Sequence, residues 1–197
     1  MIRLIVCDLD ETLLDREKNV SAGNRAAIRA FEASGGLFVP CTGRIYTSLE
    51  RTLRQLGALG KEGHYVISTN GALISENSGK VCCAKGVPAD KVQALIAYAR
   101  SHGMGVEVFA EDGTLYHEAV DERELRDLPL FVDDPLPLPE DVSFLKDIGV
   151  AKMLYERWDM PYLKQFAEQM DPSLKEGLEI SFSSDRYIEI NAAGVNK

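Results

Sequence analysis

An apolar segment that stops abruptly at two closely spaced acids is the feature that most constrains this chain of 197 residues. Residues 2–7 are largely branched apolar side chains, which is the composition of a buried strand. Asp8 and Asp10 follow at once, and Thr12 adds a hydroxyl two residues later. Placing two carboxylates beside a buried strand costs free energy, so such a pair indicates a function. A natural function is to hold a divalent cation while one of the carboxylates attacks phosphorus. The alternative is a polar turn between a strand and a loop.

The first 70 residues alternate between strand and helix patterns. Strands are predicted at 2–7, 37–40 and 65–69, and helices at 21–34, where Ser21 can cap the first turn, and from 45 to about 57. This β-α-β-α-β order predicts an α/β fold with a parallel, doubly wound sheet and right-handed crossovers.

Polar residues follow each predicted strand at the same end. Asp8, Thr42 and Asn70 each lie one or two residues beyond the carboxyl end of a successive strand. In open α/β sheets this edge is where ligands bind. The coincidence of three polar clusters there predicts a single ligand site.

The pattern and the charge both change near residue 83. Residues 83–190 hold 22 of the 31 acids but 11 of the 22 basic residues. Helices are predicted at 88–101 and 159–170, strands at 106–110, 114–117, 150–155, 178–183 and 186–190, and short helices and loops at 121–147. These elements predict a separate α+β domain.

Composition also limits partners and compartment. A net charge of −9 argues against a nucleic-acid surface or an anionic membrane as partner. There is no run of eighteen apolar residues, and Met1 leads directly into a strand, so we expect a cytoplasmic protein. Its four cysteines lack metal-ligand spacing and are expected to be reduced thiols.

Four segments together resemble one known family. They are D-L-D-E-T-L-L from Asp8, C-T-G-R from Cys41, S-T-N-G-A from Ser68, and the terminal E-I-N-A-A-G-V-N-K. In this order they resemble the haloacid dehalogenase (HAD) superfamily, in its Cof-type sugar-phosphatase branch. The resemblance implies a Rossmann-like core, residues 1–82 plus 191–197, and a large inserted α+β cap, residues 83–190, that sets substrate specificity.

The resemblance assigns the chemistry to a few residues. It implies that Asp8 is the nucleophile of a phosphatase and forms an aspartyl-phosphate, while Asp10 is the general acid and base. The Asp8 carboxylate and the Asp10 carbonyl would bind Mg²⁺, and Lys197 would neutralise the transition-state charge.

Further residues would bind the substrate. Thr42, with the amides around Gly43, would hold the phosphoryl oxygens. Arg44, at the predicted start of a helix, would bind phosphate or hydroxyl groups, or else is an ordinary surface arginine. Asn70, followed by Gly71, would contact the nucleophile loop or the substrate, or else forms a structural turn.

One family motif does not occur after Lys197, a strand ending in G-D-x-x-N-D that completes the metal shell. We therefore expect a truncated form with an under-supplied metal site and weak or no turnover. We also expect the incomplete sheet to leave an apolar edge open to self-association.

The sequence leaves several functions open. The expected substrate is a small phosphorylated metabolite, such as a sugar phosphate, a nucleotide or pyridoxal phosphate. A phosphomutase would use the same aspartyl-phosphate, and a non-catalytic remnant would keep phosphate affinity alone. A response-regulator receiver fits less well, because its acidic pair lacks this spacing and its fold lacks so large an insertion.

Overall fold

Two units of structure follow one another along the chain in the computed structural model, which describes residues 2–130, 132 and 134–196. The first unit covers residues 2–84 and the second covers Lys85–Asn196. Within the described ranges, every helix is too short or too polar to cross a membrane.

The first unit is built on a five-stranded sheet in the order β1-β2-β3-β4-β5. Strands β1, β2 and β3 are parallel, whereas β4 and β5 add an antiparallel hairpin. This arrangement confirms the predicted α/β class. The elements in chain order are β1 (Leu4–Asp8), α1 (Ala22–Ala33), β2 (Leu37–Cys41), α2 (Glu50–Leu56), β3 (Tyr65–Ser68), β4 (Leu73–Glu76) and β5 (Val81–Ala84).

Local sequence accounts for the helix boundaries in this unit. The hydroxyl of Ser21 accepts a hydrogen bond from the N–H of Asn24 at 3.1 Å and so caps α1, as predicted. Gly57 ends α2 with a φ of 67°, a conformation that glycine adopts without strain. The spacing of the apolar residues in this segment predicts one buried stripe, and its residues are buried: Ile45, Leu49, Leu53 and Leu56. The α-helix nevertheless begins only at Glu50, after a tight turn at Tyr46–Leu49.

Strand β1 is more exposed than its sequence suggests. Leu4, Ile5 and Val6 are 53%, 37% and 48% exposed, so the expectation of a buried strand is wrong for these side chains. The reason is its position in the sheet, because β1 lies at one edge and, within the part of the chain that the structure describes, pairs with β2 alone. Self-association through this apolar edge stays a prediction.

The second unit is an α+β structure with a six-stranded sheet in the order β10-β11-β9-β6-β7-β8. All its neighbouring strands are antiparallel except β7 and β8. Its elements are α3 (Ala89–Ser101), β6 (Gly105–Ala110), β7 (Leu115–Glu118), α4 (Glu122–Asp127), β8 (Leu136–Pro137), α5 (Leu145–Ile148), β9 (Val150–Glu156), α6 (Met160–Gln169), α7 (Pro172–Lys175), β10 (Leu178–Ser183) and β11 (Tyr187–Ala192).

The sheet of the second unit has one apolar face and one face on which charged side chains alternate with apolar ones such as Phe109 and Leu154. Alternate residues of the central strands join α3 and α6 in one core, which includes Val106, Val108, Leu95, Ile96, Met153, Tyr155, Leu163, Phe166, Ile188 and Ile190. The intervening positions carry Glu107, Lys152, Glu156 and Glu189. The side chains of the first three of these are buried.

The observed division differs slightly from the predicted domain limits. It falls between Ala84 and Lys85, not after residue 82, and residues 191–196 lie in the second unit. The hairpin explains this, since Asn191 and Ala192 still pair with β10 and the N–H of Ala193 donates to the Gly177 carbonyl. A core and a cap with separate functions stay a prediction.

We expect Gly86→Ala to destabilise the second unit. A Cβ at Gly86 would lie 2.2 Å from the carbonyl oxygen of Val150, which also accepts the N–H of Val87 at 2.7 Å. Because this obstacle is backbone, the strand must shift, at a cost of about 1–3 kcal/mol. The fall in the unfolding temperature of Gly86→Ala relative to the wild type measures this loss of stability. Gly23→Ala is the control, because its nearest neighbour is 4.0 Å away and alanine favours a helix; equal effects of the two substitutions would contradict the prediction.

Candidate active site

The acidic motif occupies an irregular turn between β1 and the following loop. Asp8 is the last residue of β1, and residues Leu9–Leu13 form the turn, with Glu11 at a φ of 59°. Leu9 and Leu13 are buried, and the N–H of Leu14 donates to the carbonyl of Leu9 at 2.9 Å. These apolar anchors hold Asp10, one of the two acids between them, at a defined place on the edge of the sheet.

Thr12 contributes to the order of this turn. Its hydroxyl donates to Oδ2 of Asp8 at 3.2 Å, across the three residues that separate them. This contact ties the end of the turn back to the end of β1. The Asp8 carboxylate is half-buried and is therefore supported by protein while still accessible.

Two basic side chains hold the carboxylate of Asp10. Arg44 binds it through two hydrogen bonds, Nε to Oδ2 at 2.7 Å and Nη2 to Oδ1 at 2.5 Å. The ammonium of Lys18 donates to the same Oδ1 at 2.8 Å. Partial burial opposes ionisation of Asp10, but the hydrogen bonds from Arg44 and Lys18 outweigh it and lower the pKa of this carboxyl. In this arrangement Asp10 is an ionised carboxylate.

Thr42 is a buried residue that follows β2 and is hydrogen-bonded to the end of β3 and to the turn after it. Its N–H donates to the carbonyl of Ile67 at 2.9 Å, and its own carbonyl accepts the N–H of Asn70 at 3.0 Å. Its hydroxyl oxygen accepts the N–H of Arg44 at 3.1 Å. The hydroxyl proton is therefore directed elsewhere and can donate to a further acceptor.

The turn after β3 has an unusual backbone. Thr69, Asn70 and Gly71 have φ values of 47°, 60° and 99°, so three successive residues are left-handed. This conformation costs about 1 kcal/mol or more for each residue with a Cβ, and such strain is concentrated at functional sites. The N–H of Thr69 donates to the carbonyl of Arg44 at 2.9 Å, which joins this turn to the one after β2.

Strand register brings these turns to one edge. Asp8 pairs with Cys41, and Cys41 pairs with Ile67, so the three parallel strands end side by side. Asp8, Asp10, Thr42, Gly43, Arg44, Asn70 and Gly71 lie in the turns at that edge. Their roles in binding and catalysis stay predictions. Lys197, the predicted catalytic lysine, lies outside the described residues.

The structure also shows what the sequence did not identify. Arg44 precedes its helix by several residues and is engaged with Asp10, not placed at a helix start as predicted. Lys18 was not predicted at all, because no pattern in the sequence connects a lysine in a polar loop with an acid eight residues earlier.

Oxygen donors suited to a hard cation are present but few. Asp8 and the backbone carbonyl of Asp10 are the donors that the motif supplies, and no cluster of three or more acidic, histidine or cysteine side chains with metal-binding geometry occurs among the described residues. Such a set fits Mg²⁺, which commonly keeps several waters and binds through one or two carboxylates and a phosphate.

An open α/β sheet with an acidic turn at the carboxyl end of its first strand defines a class of ligand-binding α/β proteins. A family model described as haloacid dehalogenase-like hydrolase matches residues 5–197. The chain belongs to this family, which confirms the resemblance of its four segments.

Individual relatives agree with this placement. Phosphatase YwpJ of Bacillus subtilis (strain 168) is 28% identical over 167 residues, which are 85% of this chain and 56% of that protein. The same organism's 5-amino-6-(5-phospho-D-ribitylamino)uracil phosphatase YcsE is 28% identical over 196 residues, covering 100% of this chain and 68% of that protein. The chain thus spans little more than half the length of YwpJ.

A solved structure shows the same fold. The crystal structure of a haloacid dehalogenase-like hydrolase from Bacteroides thetaiotaomicron matches with a TM-score of 0.82 at 22% identity, covering 99% of this chain and 73% of that one. At this level of identity the match demonstrates the shared fold alone.

Proposed function

We propose that this protein is a Mg²⁺-dependent phosphomonoester hydrolase that acts on a small phosphorylated metabolite through an aspartyl-phosphate. The observation that carries the proposal is the placement of Asp8 at the end of β1 and of Asp10 in the turn that follows, at the same carboxyl edge of the parallel strands as Thr42. Membership of a hydrolase family with phosphatases among its members supports it.

In the first step a carboxylate oxygen of Asp8 attacks phosphorus, and the bond to the ester oxygen breaks. Asp10 supplies the proton that the leaving alkoxide needs. In the second step water attacks the phosphorus of the aspartyl-phosphate, Asp10 takes its proton, and the Asp8 carboxylate is regenerated with release of phosphate. Asp8 thereby divides one difficult displacement into two.

Asp10 must change partners before it can act as an acid. Arg44 and Lys18 favour its ionised form, which suits the proton-accepting second step. An incoming phosphate competes for the guanidinium of Arg44, because both anions offer paired oxygens to its planar donors. Release of Arg44 then removes two of the three hydrogen bonds that oppose protonation of Asp10, and the carboxylate takes from solvent the proton that it later gives to the leaving alkoxide.

The remaining residues would bind and stabilise the phosphoryl group. The hydroxyl of Thr42 and the amides near Gly43 would donate to its equatorial oxygens. Asn70 and Gly71 would shape the neighbouring side of the site. Lys197 would add positive charge by its resemblance to the family lysine.

Magnesium would be held by the Asp8 carboxylate and the carbonyl of Asp10, with water and phosphate completing its shell. When bound, it would supply positive charge that neutralises the phosphoryl oxygens and lessens their repulsion of the nucleophile.

The substrate class follows from what related proteins are named for. YcsE is named as a phosphatase of a phosphorylated ribitylaminouracil, and a 28% identical relative from Serratia proteamaculans is named HMP-PP phosphatase. We extend to this chain only their shared class, a small phosphorylated metabolite. Selection among such esters by residues 83–190 stays a prediction.

The proposal is tested by phosphate release from a panel of sugar phosphates, nucleotides and pyridoxal phosphate, with Mg²⁺ or with EDTA. Release that depends on Mg²⁺ is expected, even if turnover is slow. Equal release in EDTA, or none with any ester, would contradict it. Product analysis in ¹⁸O-labelled water separates hydrolysis, which incorporates label into phosphate, from a phosphomutase.

Thr42→Val should preserve the fold and lower kcat. Valine has nearly the shape of threonine, and the backbone bonds of Thr42 to Ile67 and Asn70 do not need the hydroxyl, although the N–H of Arg44 loses the acceptor that it has at 3.1 Å. Loss of one donor to a developing phosphoryl charge lowers kcat by about a hundredfold. Thr42→Ser is the control and should retain most of the activity; a serine variant as impaired as the valine variant would show that the hydroxyl is not the cause.

A further inference from the structure

Lys18 lies at the tip of a short, rigid loop that follows the acidic turn. Its N–H donates to the carbonyl of Asp15 at 3.0 Å, and the N–H of Asp15 donates back to the carbonyl of Asn19 at 2.9 Å. The φ of Lys18 is 61°, a conformation that costs a residue with a Cβ about 1 kcal/mol or more. The chain therefore accepts local strain where it presents this ammonium.

Side chains of α2 hold the loop in place. Oδ1 of Asn19 accepts hydrogen bonds from Nη2 of Arg51 at 2.8 Å and from Nε2 of Gln55 at 2.9 Å. The amide oxygen of Gln55 accepts the N–H of Val20 at 2.7 Å. These three hydrogen bonds fix the residues immediately after Lys18, so the side chain of Lys18 extends from a defined point of the backbone.

Stability does not explain the contact between Lys18 and Asp10. Their side chains are 46% and 35% exposed, and ion pairs at such positions contribute only about 0–1 kcal/mol. Asp10 also has a complete bidentate partner in Arg44, so its charge is compensated without the lysine. The presence of a second cation on this carboxylate therefore needs an explanation other than stability or charge compensation.

Arg44 has two anionic partners in the proposed reaction, Asp10 in the free protein and the phosphate of the substrate in the complex. If Arg44 turns to an anionic substrate, Asp10 loses two of its three hydrogen bonds and is free to rotate away. We propose that Lys18 is a positioning residue that keeps the Asp10 carboxyl in place while Arg44 binds the phosphate of the substrate. The inference rests on the proposed function, because the reacting group that Lys18 positions is the general acid and base of that reaction.

The distinction between the two cations is kinetic. Lys18→Met should lower kcat about tenfold and leave KM within about threefold, because acid–base catalysis depends on geometry while ground-state binding does not involve Lys18. Arg44→Met should raise KM. Lys18→Arg, which can still reach Asp10, should recover most of kcat. Lys61→Met is the matched control, since Lys61 is an exposed lysine in the turn after α2, and it should match the wild type.

A second measurement does not need turnover. Crystals of the wild type and of Lys18→Met are soaked with inorganic phosphate. In the wild type Arg44 should contact phosphate and Asp10 should remain on Lys18, whereas in the variant the Asp10 carboxyl should occupy a different rotamer. Circular dichroism and the unfolding temperature confirm that each variant is folded.

Several results would overturn the inference. They are an unchanged kcat in Lys18→Met, an effect on KM alone, an arginine variant no better than the methionine variant, or an Asp10 carboxyl that stays in place without the lysine. Failure of the proposed function looks different, because the wild type itself then releases no phosphate with Mg²⁺. In that case the pair of soaked structures still decides the role of Lys18.

Discussion

Asp8→Asn is expected to eliminate phosphate release, with a loss of at least about a thousandfold in kcat. The amide has almost the shape of the carboxylate, but it has lost the negative charge and the nucleophilic oxygen that the proposed first step requires. Release of phosphate from the preferred ester of the panel, with Mg²⁺ in excess, measures the effect. The unfolding temperature should change little, because the hydroxyl of Thr12 can still donate to the amide oxygen.

A binding measurement distinguishes the loss of a nucleophile from the loss of the site. Beryllofluoride with Mg²⁺ mimics a phosphoryl group on an aspartate, and it should raise the unfolding temperature of the wild type but not of Asp8→Asn. Asp15→Asn is the matched control, because Asp15 is an exposed acid in the loop that follows the acidic turn. Substantial turnover by Asp8→Asn would remove Asp8 as the nucleophile and with it the proposed mechanism.

Glu107→Gln is expected to stabilise the protein at alkaline pH. Glu107 is 2% exposed on β6, and its Oε1 has no hydrogen-bond partner among the described residues. Burial, with the nearby carboxylates of Glu124 and Glu156, raises its pKa from 4.5 to about 8, although Lys152 and Arg186 act in the opposite direction. The folded protein therefore keeps a proton on Glu107 at neutral pH that the unfolded chain has released.

The sign of the pH dependence follows from this difference. The contribution of Glu107 is fully present below about pH 4.5, decreases as the pH rises, and is lost once the pH passes about 8. The total change is at most about 5 kcal/mol. Glutamine has no proton to release, so urea unfolding should show a smaller fall in stability between pH 5 and pH 9 for Glu107→Gln than for the wild type. Glu168→Gln, at an exposed position on α6, is the control and should keep the wild-type slope; parallel curves for wild type and Glu107→Gln would contradict the prediction.

Much of the fold could be predicted because its elements carry strong local patterns. The cap at Ser21 and the stripe that ends at Leu56 depend on neighbouring residues in the chain, and both were confirmed. In α3 the residues Val92, Leu95, Ile96 and Ala99 form the buried face that their spacing predicts. Such patterns require no knowledge of distant contacts.

The exposure of β1 could not be predicted in this way. Its branched apolar residues indicate a strand, but only the order of strands in the sheet determines whether that strand has one neighbour or two. The short helix α7 was also missed, since four residues that begin with a proline carry too little periodicity to distinguish a helical turn from a loop.

The candidate site also has one part that local sequence predicts and another that only tertiary contacts determine. The positions of Asp8, Thr42 and Asn70 at one edge follow from strand endings alone, because the carboxyl ends of parallel strands meet there. The hydrogen bonds from Arg44 and Lys18 to Asp10 do not follow from strand endings. They depend on how two loops fold back on the acidic turn.

The amino-acid sequence by itself determined the α/β class, the order of most elements and the edge at which the acidic motif lies, since each of these results from periodicity and from residues that are close in the chain. Only the tertiary structure decided the partners of Asp10, the burial of Glu107 and the exposure of β1. Those three depend on contacts between segments far apart in the chain, and the free energy of a charge or an apolar side chain depends on which groups surround it.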